Sequence, residues 1–317
     1  MRNVFSQSLV AAAQADPNLI LLTGDHGYTL FEELRSRHPD QYLNCGVAEQ
    51  NMVGVAAGLA RGGFRPIVYG LASFVPVRVL EQIKLDVCYE GLAVTFVGDG
   101  AGVVYSTLGA SHQSAEDIAV ISPMPGMTVL SPADAHEMRA SMDRALGAKG
   151  PVYLRIGKAD LGAVHSGPVS VDAGKLLPLR PGNGIAWIAT GSMVRTALAV
   201  SARWAGSSVW SAPVIKPLDG NGIRALSASH HTIITLEEHS VHGGLGAAVA
   251  SEVAEGPASI PVFRIGIRDR FSDKCGSYAY LMSEHGLDEA SVVATVEGFL
   301  GERSGDGIQR LRRARTG

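Results

Sequence analysis

The feature that most constrains this chain is a repeated alternation of short, uninterrupted apolar runs with stretches of helical spacing. Leu19–Thr23, Pro66–Gly70, Leu92–Val97 and Val152–Ile156 read as strands, and Gln50–Ala60, Val77–Val87 and Ala133–Leu146 read as helices. A strand that is apolar on both faces needs cover on both, which is the position of a parallel sheet between two layers of helices. The pattern breaks over Asp172–Gly184, where Pro178, Pro181, Gly182, Asn183 and Gly184 cluster as in a linker. It then resumes, with Gly184–Ala189, Ser208–Trp210, Thr232–Leu236 and Val262–Ile265 as strands. Met193–Trp204, Gly243–Val253 and Leu287–Leu300 are the matching helices. The expectation is an α/β protein of two consecutive three-layer domains, residues 1–170 and 185–304, joined by a linker at 171–184. Residues 305–317, with Arg310, Arg312, Arg313 and Arg315, read as a disordered basic tail.

Composition removes several classes of function. The net charge is −3 and no basic face is apparent, so nucleic acid is not expected as a partner. No apolar run approaches the length of a membrane span. Ala13-Gln14-Ala15 mimics a cleavage site, but Gln7 and Ser8 interrupt the apolar run before it, and Arg2 alone is basic there. An amphipathic first helix with Phe5, Leu9 and Ala12 on one face fits better. Cys45, Cys88 and Cys275 are far apart and form no metal-ligand or CxxC pattern, so reduced thiols and a cytoplasmic setting are expected. Neither a GxGxxG opening a helix nor a Walker-type loop is present.

The segment Gly46-Val47-Ala48-Glu49-Gln50-Asn51 opens a helix that is otherwise apolar and small. A glutamate at a helix start ordinarily complements the helix dipole. Here the surroundings are apolar enough to bury it, and Gly54 and Gly58, one turn apart, leave a smooth face suited to a subunit contact. Downstream come Arg65-Pro66-Ile67, Phe74, Arg78, Glu81-Gln82-Ile83 and Gly109-Ala110-Ser111-His112-Gln113. Glu116-Asp117, Pro132-Ala133-Asp134, Gly150-Pro151-Val152-Tyr153-Leu154-Arg155, Glu237-Glu238-His239 and Gly243-Gly244-Leu245-Gly246 complete the series.

This ordered set resembles the transketolases, with Gly46–Asn51 similar to their pyrimidine-binding motif. The resemblance implies thiamine diphosphate as cofactor. It implies that Glu49 hydrogen-bonds the aminopyrimidine ring nitrogen, while Phe74 stacks on that ring and Leu71 adds an aliphatic contact. His112 would stand near the reacting carbon as a proton donor or hydrogen-bond partner, and His26, after the first strand, would contact substrate. Arg155 and Lys158 would meet a substrate phosphate, with a surface salt bridge as the plainer use of either.

Two departures from the family pattern matter. Gly98-Asp99-Gly100 looks like the diphosphate and magnesium motif, but no Asn lies between Asn51 and Asn183 to complete a metal shell, so it reads as a turn after Leu92–Val97. The expectation is a C-terminal subunit of a split transketolase with no metal ligands of its own. Thiamine diphosphate would bind with Mg2+ ligated by an N-terminal partner subunit carrying Gly-Asp-Gly and a later Asn, in an α2β2 assembly. Leu108 stands where an aspartate would contact donor hydroxyls, and Tyr105 is atypical. The ordinary sugar or sugar-phosphate donor is thereby put in question, and a specialised pathway becomes plausible. The alternatives are a β subunit of a 2-oxoacid dehydrogenase, a deoxyxylulose-phosphate-synthase-like carboligase, and a non-catalytic scaffold partner.

Overall fold

The computed structural model describes residues 1–157, 161–171 and 174–314, with 304–314 in backbone only. The first sheet holds β1 (Leu19–Thr23), β2 (Tyr42–Asn44), β3 (Arg65–Leu71), β4 (Thr95–Asp99), β5 (Thr128–Leu130) and β6 (Val152–Ile156). The second holds β7 (Leu177–Arg180), β8 (Ile185–Ala189), β9 (Ser208–Ser211), β11 (Thr232–Ser240) and β12 (Val262–Ile267). One strand departs from this division. β10 (Val214–Lys216) follows β9 in the chain but joins the first sheet, antiparallel to β5. The orders are β10-β5-β6-β4-β3-β1-β2 and β12-β11-β8-β9-β7.

Apart from β10 and β7, neighbouring strands are parallel. Alternate residues therefore feed opposite cores. In β1, Leu19 and Leu21 pack with Phe5 and Leu9 of the first helix (Arg2–Ala15) and with Met138 and Met142 of the helix Ala135–Gly147. Leu22 faces the other way, toward Met52, Val53 and Ala56 of the helix Glu49–Arg61. That same core continues to Ala186, Ile188 and Ile233 of the second sheet, so the two domains share a continuous apolar layer. The outer face of the second sheet packs Trp187 and Leu236 on Met193, Ala197 and Val292.

Several expectations are corrected. The linker 171–184 contains a strand, β7, which pairs antiparallel with β9 at the sheet edge; Pro178 is tolerated there as on other edge strands. Gly98 and Asp99 lie within β4, opposite Arg155 and Ile156, and the turn begins only at Gly100, whose φ is +79°. The helix expected over Val77–Val87 is an irregular succession of a 3-10 turn at Val77–Val79, an α turn at Leu80–Gln82 and a π-helical turn at Ile83–Cys88. Of the expected tail, residues 315–317 lie outside the described residues. The last helix runs Glu289–Ala314, and so takes in the first part of that tail. Among the described residues no helix is long and apolar enough to cross a membrane.

Candidate active site

The carboxyl-terminal ends of β1, β2, β3 and β4 open onto one edge of the first sheet, where parallel sheets bind their ligands. His26 follows β1, Glu49 follows β2, Phe74 follows β3, and a long loop after β4 carries Tyr105 and His112. Gly46, at φ +70°, turns the chain from β2 into the helix that Glu49 begins.

Glu49 is 3% exposed. Its Oε2 accepts a hydrogen bond from Nη1 of Arg78 at 2.9 Å, while Oε1 is buried and has no partner. The Arg78 guanidinium also lies over the Phe74 ring, 4.0 Å from its centroid. Phe74 in turn has His26 at 6.3 Å and His112 at 5.6 Å between ring centroids. His112 shares a hydrogen bond with Ser111 Oγ through Nδ1 (3.0 Å), and its ring stands 6.4 Å from that of Tyr105. The Tyr105 hydroxyl donates to Asp99 Oδ2 at 3.2 Å. Burial first, and the Asp99 carboxylate second, push the Tyr105 phenol above its ordinary range. Leu71 is buried at the end of β3; its carbonyl accepts from the amides of Phe74 and Val75 and so fixes the turn that carries the ring.

The structure thus gathers Glu49, Phe74, His26 and His112, with Leu71 beneath them. It does not bring Arg155 to them as a free cation. Arg155 is 4% exposed, its Nε donates to Asp117 Oδ2 at 2.7 Å, and its Nη2 donates to the carbonyls of Ser114 (3.2 Å) and Glu238 (2.9 Å). Held in this way it serves as an internal brace, and the expected contact with a substrate phosphate is withdrawn. Lys158 lies outside the described residues.

Sequence analysis gives Arg78 no role, since Phe74 lies in a turn before the 3-10 turn Val77–Val79 and no helical face is shared for the spacing to reveal. It also dismissed Asp99 as a turn residue. In the structure Asp99 is 1% exposed and lies among Tyr105, Arg2 (3.4 Å) and Tyr69. Among the described residues, no group of three or more His, Cys, Asp or Glu is placed to hold a metal ion.

Burial lowers the pKa of His26 from its ordinary value, and the opposing pull of Glu49, Asp25 and Asp99 does not restore it. A histidine NMR titration of the chain is expected to give His26 a midpoint below the ordinary value of about 6.5. A midpoint above that would mean the neighbouring carboxylates outweigh burial.

Residues 1–163 match the family model for the transketolase pyrimidine binding domain, and residues 174–292 match that for the transketolase C-terminal domain. The chain belongs to the transketolase family. It is 34% identical over 305 residues to an apulose-4-phosphate transketolase subunit of Phocaeicola vulgatus, covering 94% of this chain and 97% of that one. It is 33% identical over 298 residues to the 6-deoxy-6-sulfo-D-fructose transketolase subunit SqwH of a Clostridium species, covering 92% of each. Among solved structures, a split-gene transketolase described as an inactive β4 tetramer superposes with a TM-score of 0.84 at 32% identity, over 94% of this chain and 96% of that chain. In domain content this transketolase chain corresponds to the C-terminal subunit of a split enzyme.

Proposed function

We propose that the chain supplies Glu49 to thiamine diphosphate in an active site shared with a separate diphosphate-binding subunit. The assembled enzyme transfers a two-carbon ketol unit from a ketose, phosphorylated at its far end, to an aldose or related aldehyde. The observation that carries this is the lone buried Oε1 of Glu49, beside an aromatic ring and two histidines. A buried carboxylate oxygen without a partner is costly unless a ligand satisfies it, and a ring nitrogen would do so.

When bound, thiamine diphosphate supplies the carbon nucleophile and electron sink needed to break a carbon–carbon bond beside a carbonyl. Glu49 Oε1 would hold the aminopyrimidine edge, while Arg78 holds Oε2 and fixes the plane of the carboxyl. Arg78, 43% exposed, covers one face of Phe74 and would give up that face if the ring stacked there. Leu71 backs that contact from the core. His112, oriented through Nδ1 by Ser111, handles protons at the donor carbonyl and hydroxyls with Nε2. His26, its pKa lowered by burial, would hydrogen-bond the substrate beside Phe74.

The partner brings Mg2+ and the diphosphate clamp in the Gly-Asp-Gly…Asn motif that this chain lacks. The surface around Glu49 suits such a partner. Val47 is 74% exposed, Tyr28 70% and Leu43 43%, and a Cβ built on Gly54 or Gly58 meets nothing within 4 Å. We take the assembly to be α2β2 and its setting to be the cytoplasm, in keeping with three free cysteines. The inactive β4 form of the similar split-gene protein supports self-association of chains of this type and inactivity without the partner. Leu108, 52% exposed on the loop that carries His112, offers donor hydroxyls no acid. This favours a specialised ketose over the common sugar phosphates.

Purified chain should show no ketol transfer alone and full transfer when mixed with the diphosphate-binding subunit, thiamine diphosphate and Mg2+. Turnover by the chain alone, or carbon dioxide release from pyruvate by the mixture, would overturn this assignment.

A further inference from the structure

The loop that carries Tyr105 and His112 is closed at its neck by two backbone hydrogen bonds, Gly102 N to Ser114 O (3.0 Å) and Ser114 N to Gly102 O (2.8 Å). The loop is tied to its own strand by the Tyr105 hydroxyl on Asp99 (3.2 Å). Its neck is fastened by contacts with the second domain. The Val103 amide, just inside the neck, donates to Glu238 Oε1 at 2.9 Å. On the other side of the neck, Ser114 O accepts from Arg155, whose same nitrogen also reaches the Glu238 carbonyl. One residue further on, Ala115 O accepts from the Ser240 amide at 2.7 Å. The end of β11 therefore forms a rail along which both sides of the neck are fastened.

Glu238 is built for this use. It is 4% exposed, and its second oxygen accepts from the Tyr278 hydroxyl at 2.7 Å and from the Ser192 hydroxyl. Both donors belong to the second domain, so the carboxylate is fixed from behind while its front oxygen points at the neck. The fit is close: a Cβ on Gly102 would stand 2.2 Å from Oε1, and Gly102 has φ +70°. The Glu238 carboxylate is buried and bonded to Val103, Ser192 and Tyr278, so its effect on the site passes through the loop.

We infer that Glu238 is a positioning residue: from the second domain it sets the neck of the Gly102–Ser114 loop and so the place of His112, tying ketol transfer to the docking of the two domains. The effect on turnover rests on the role proposed above for His112; the effect on the loop does not.

The test uses the full chain and the assembled enzyme, with Glu238→Ala, Glu238→Gln and Tyr278→Phe. Chymotrypsin reads the loop directly, because Tyr105 and Leu108 offer cleavage points within it. Losing a charge-assisted hydrogen bond should speed cleavage there about tenfold to a hundredfold in Glu238→Ala, and lower kcat by a similar factor in the assembled enzyme. Thiamine diphosphate affinity, read by fluorescence titration, should stay within about twofold, since neither Glu49 nor Phe74 is touched. Glu238→Gln keeps an acceptor for Val103 and should recover part of both effects. Tyr278→Phe, a gentler change, should move both in the same direction by less. Unchanged loop cleavage in Glu238→Ala and Tyr278→Phe would overturn the inference. So would cleavage throughout the chain with parallel loss of cofactor affinity, which would make Glu238 an ordinary folding residue. Faster loop cleavage with turnover unaffected even by His112→Ala would uphold Glu238 as the loop's anchor and remove His112 from the chemistry.

Discussion

Glu49→Gln in the reconstituted enzyme is expected to lower ketol transfer by about 10²–10⁴-fold, the range for loss of a positioned proton-transfer group. The substitution keeps the volume and the buried position of a side chain that is 3% exposed. It also keeps a hydrogen-bonding atom at each terminal position, so the fold and the Arg78 contact at 2.9 Å have the means to survive. What it removes is the ability of that atom pair to exchange a proton with a ring nitrogen. Glu49→Ala should lose at least as much activity, and should also free Arg78 from its partner. Assembly with the diphosphate-binding subunit, measured by sedimentation, should persist in Glu49→Gln. Full turnover by this variant would favour the scaffold reading, in which the pyrimidine-type domain is kept for its shape alone.

The second large effect concerns stability. Asp117→Ala is expected to cost about 3–5 kcal/mol, the range for breaking a buried ion pair from one side. Asp117 has no side-chain exposure, and its Oδ2 accepts from both Arg155 Nε (2.7 Å) and the Tyr153 hydroxyl (2.8 Å). Removing it leaves the Arg155 guanidinium in the core with only carbonyl partners. Because Arg155 also holds Ser114 and Glu238, the junction of the two domains should loosen with it. Replacing both partners, with Asp117→Leu and Arg155→Met, should cost less than Asp117→Ala alone, since no unpaired charge remains. Chemical denaturation followed by two probes, one in each domain, measures both variants. A loss of less than about 1 kcal/mol for Asp117→Ala, the size expected of a surface pair, would show that the pair is not buried in solution.

The parts of this protein legible in its sequence were those written locally. Alternating apolar runs located β1, β3, β6 and β8 to within a few residues, because a strand buried on both faces leaves a dense, continuous signal. The helix opened by Glu49 was readable for the same reason, its apolar residues being spaced for one face. What escaped depends on distant contacts. β10 is three residues long and finds its partner strand more than eighty positions earlier, so no local pattern announces that it leaves its own domain. Arg155 looks the same in sequence whether it meets solvent phosphate or Asp117, which lies 38 positions upstream. Asp99 resembled a turn residue because Gly98 and Gly100 flank it; the space that Gly98 leaves is filled by Tyr153, close enough that a Cβ there would meet its hydroxyl at 2.3 Å. In the site itself, residue types were readable, but the contact between Glu49 and Arg78 was not, since it joins two separate elements across 29 positions.

The central claim is that Oε1 of Glu49 is reserved for the aminopyrimidine ring. The most direct measurement is a structure of the chain assembled with its diphosphate-binding partner, thiamine diphosphate and Mg2+. The expected result is a ring nitrogen within about 2.6–3.2 Å of that oxygen, with Phe74 against the ring face. A cofactor ring seated away from Glu49, or a Glu49 carboxylate still bonded to Arg78 alone with the cofactor bound elsewhere, would contradict it.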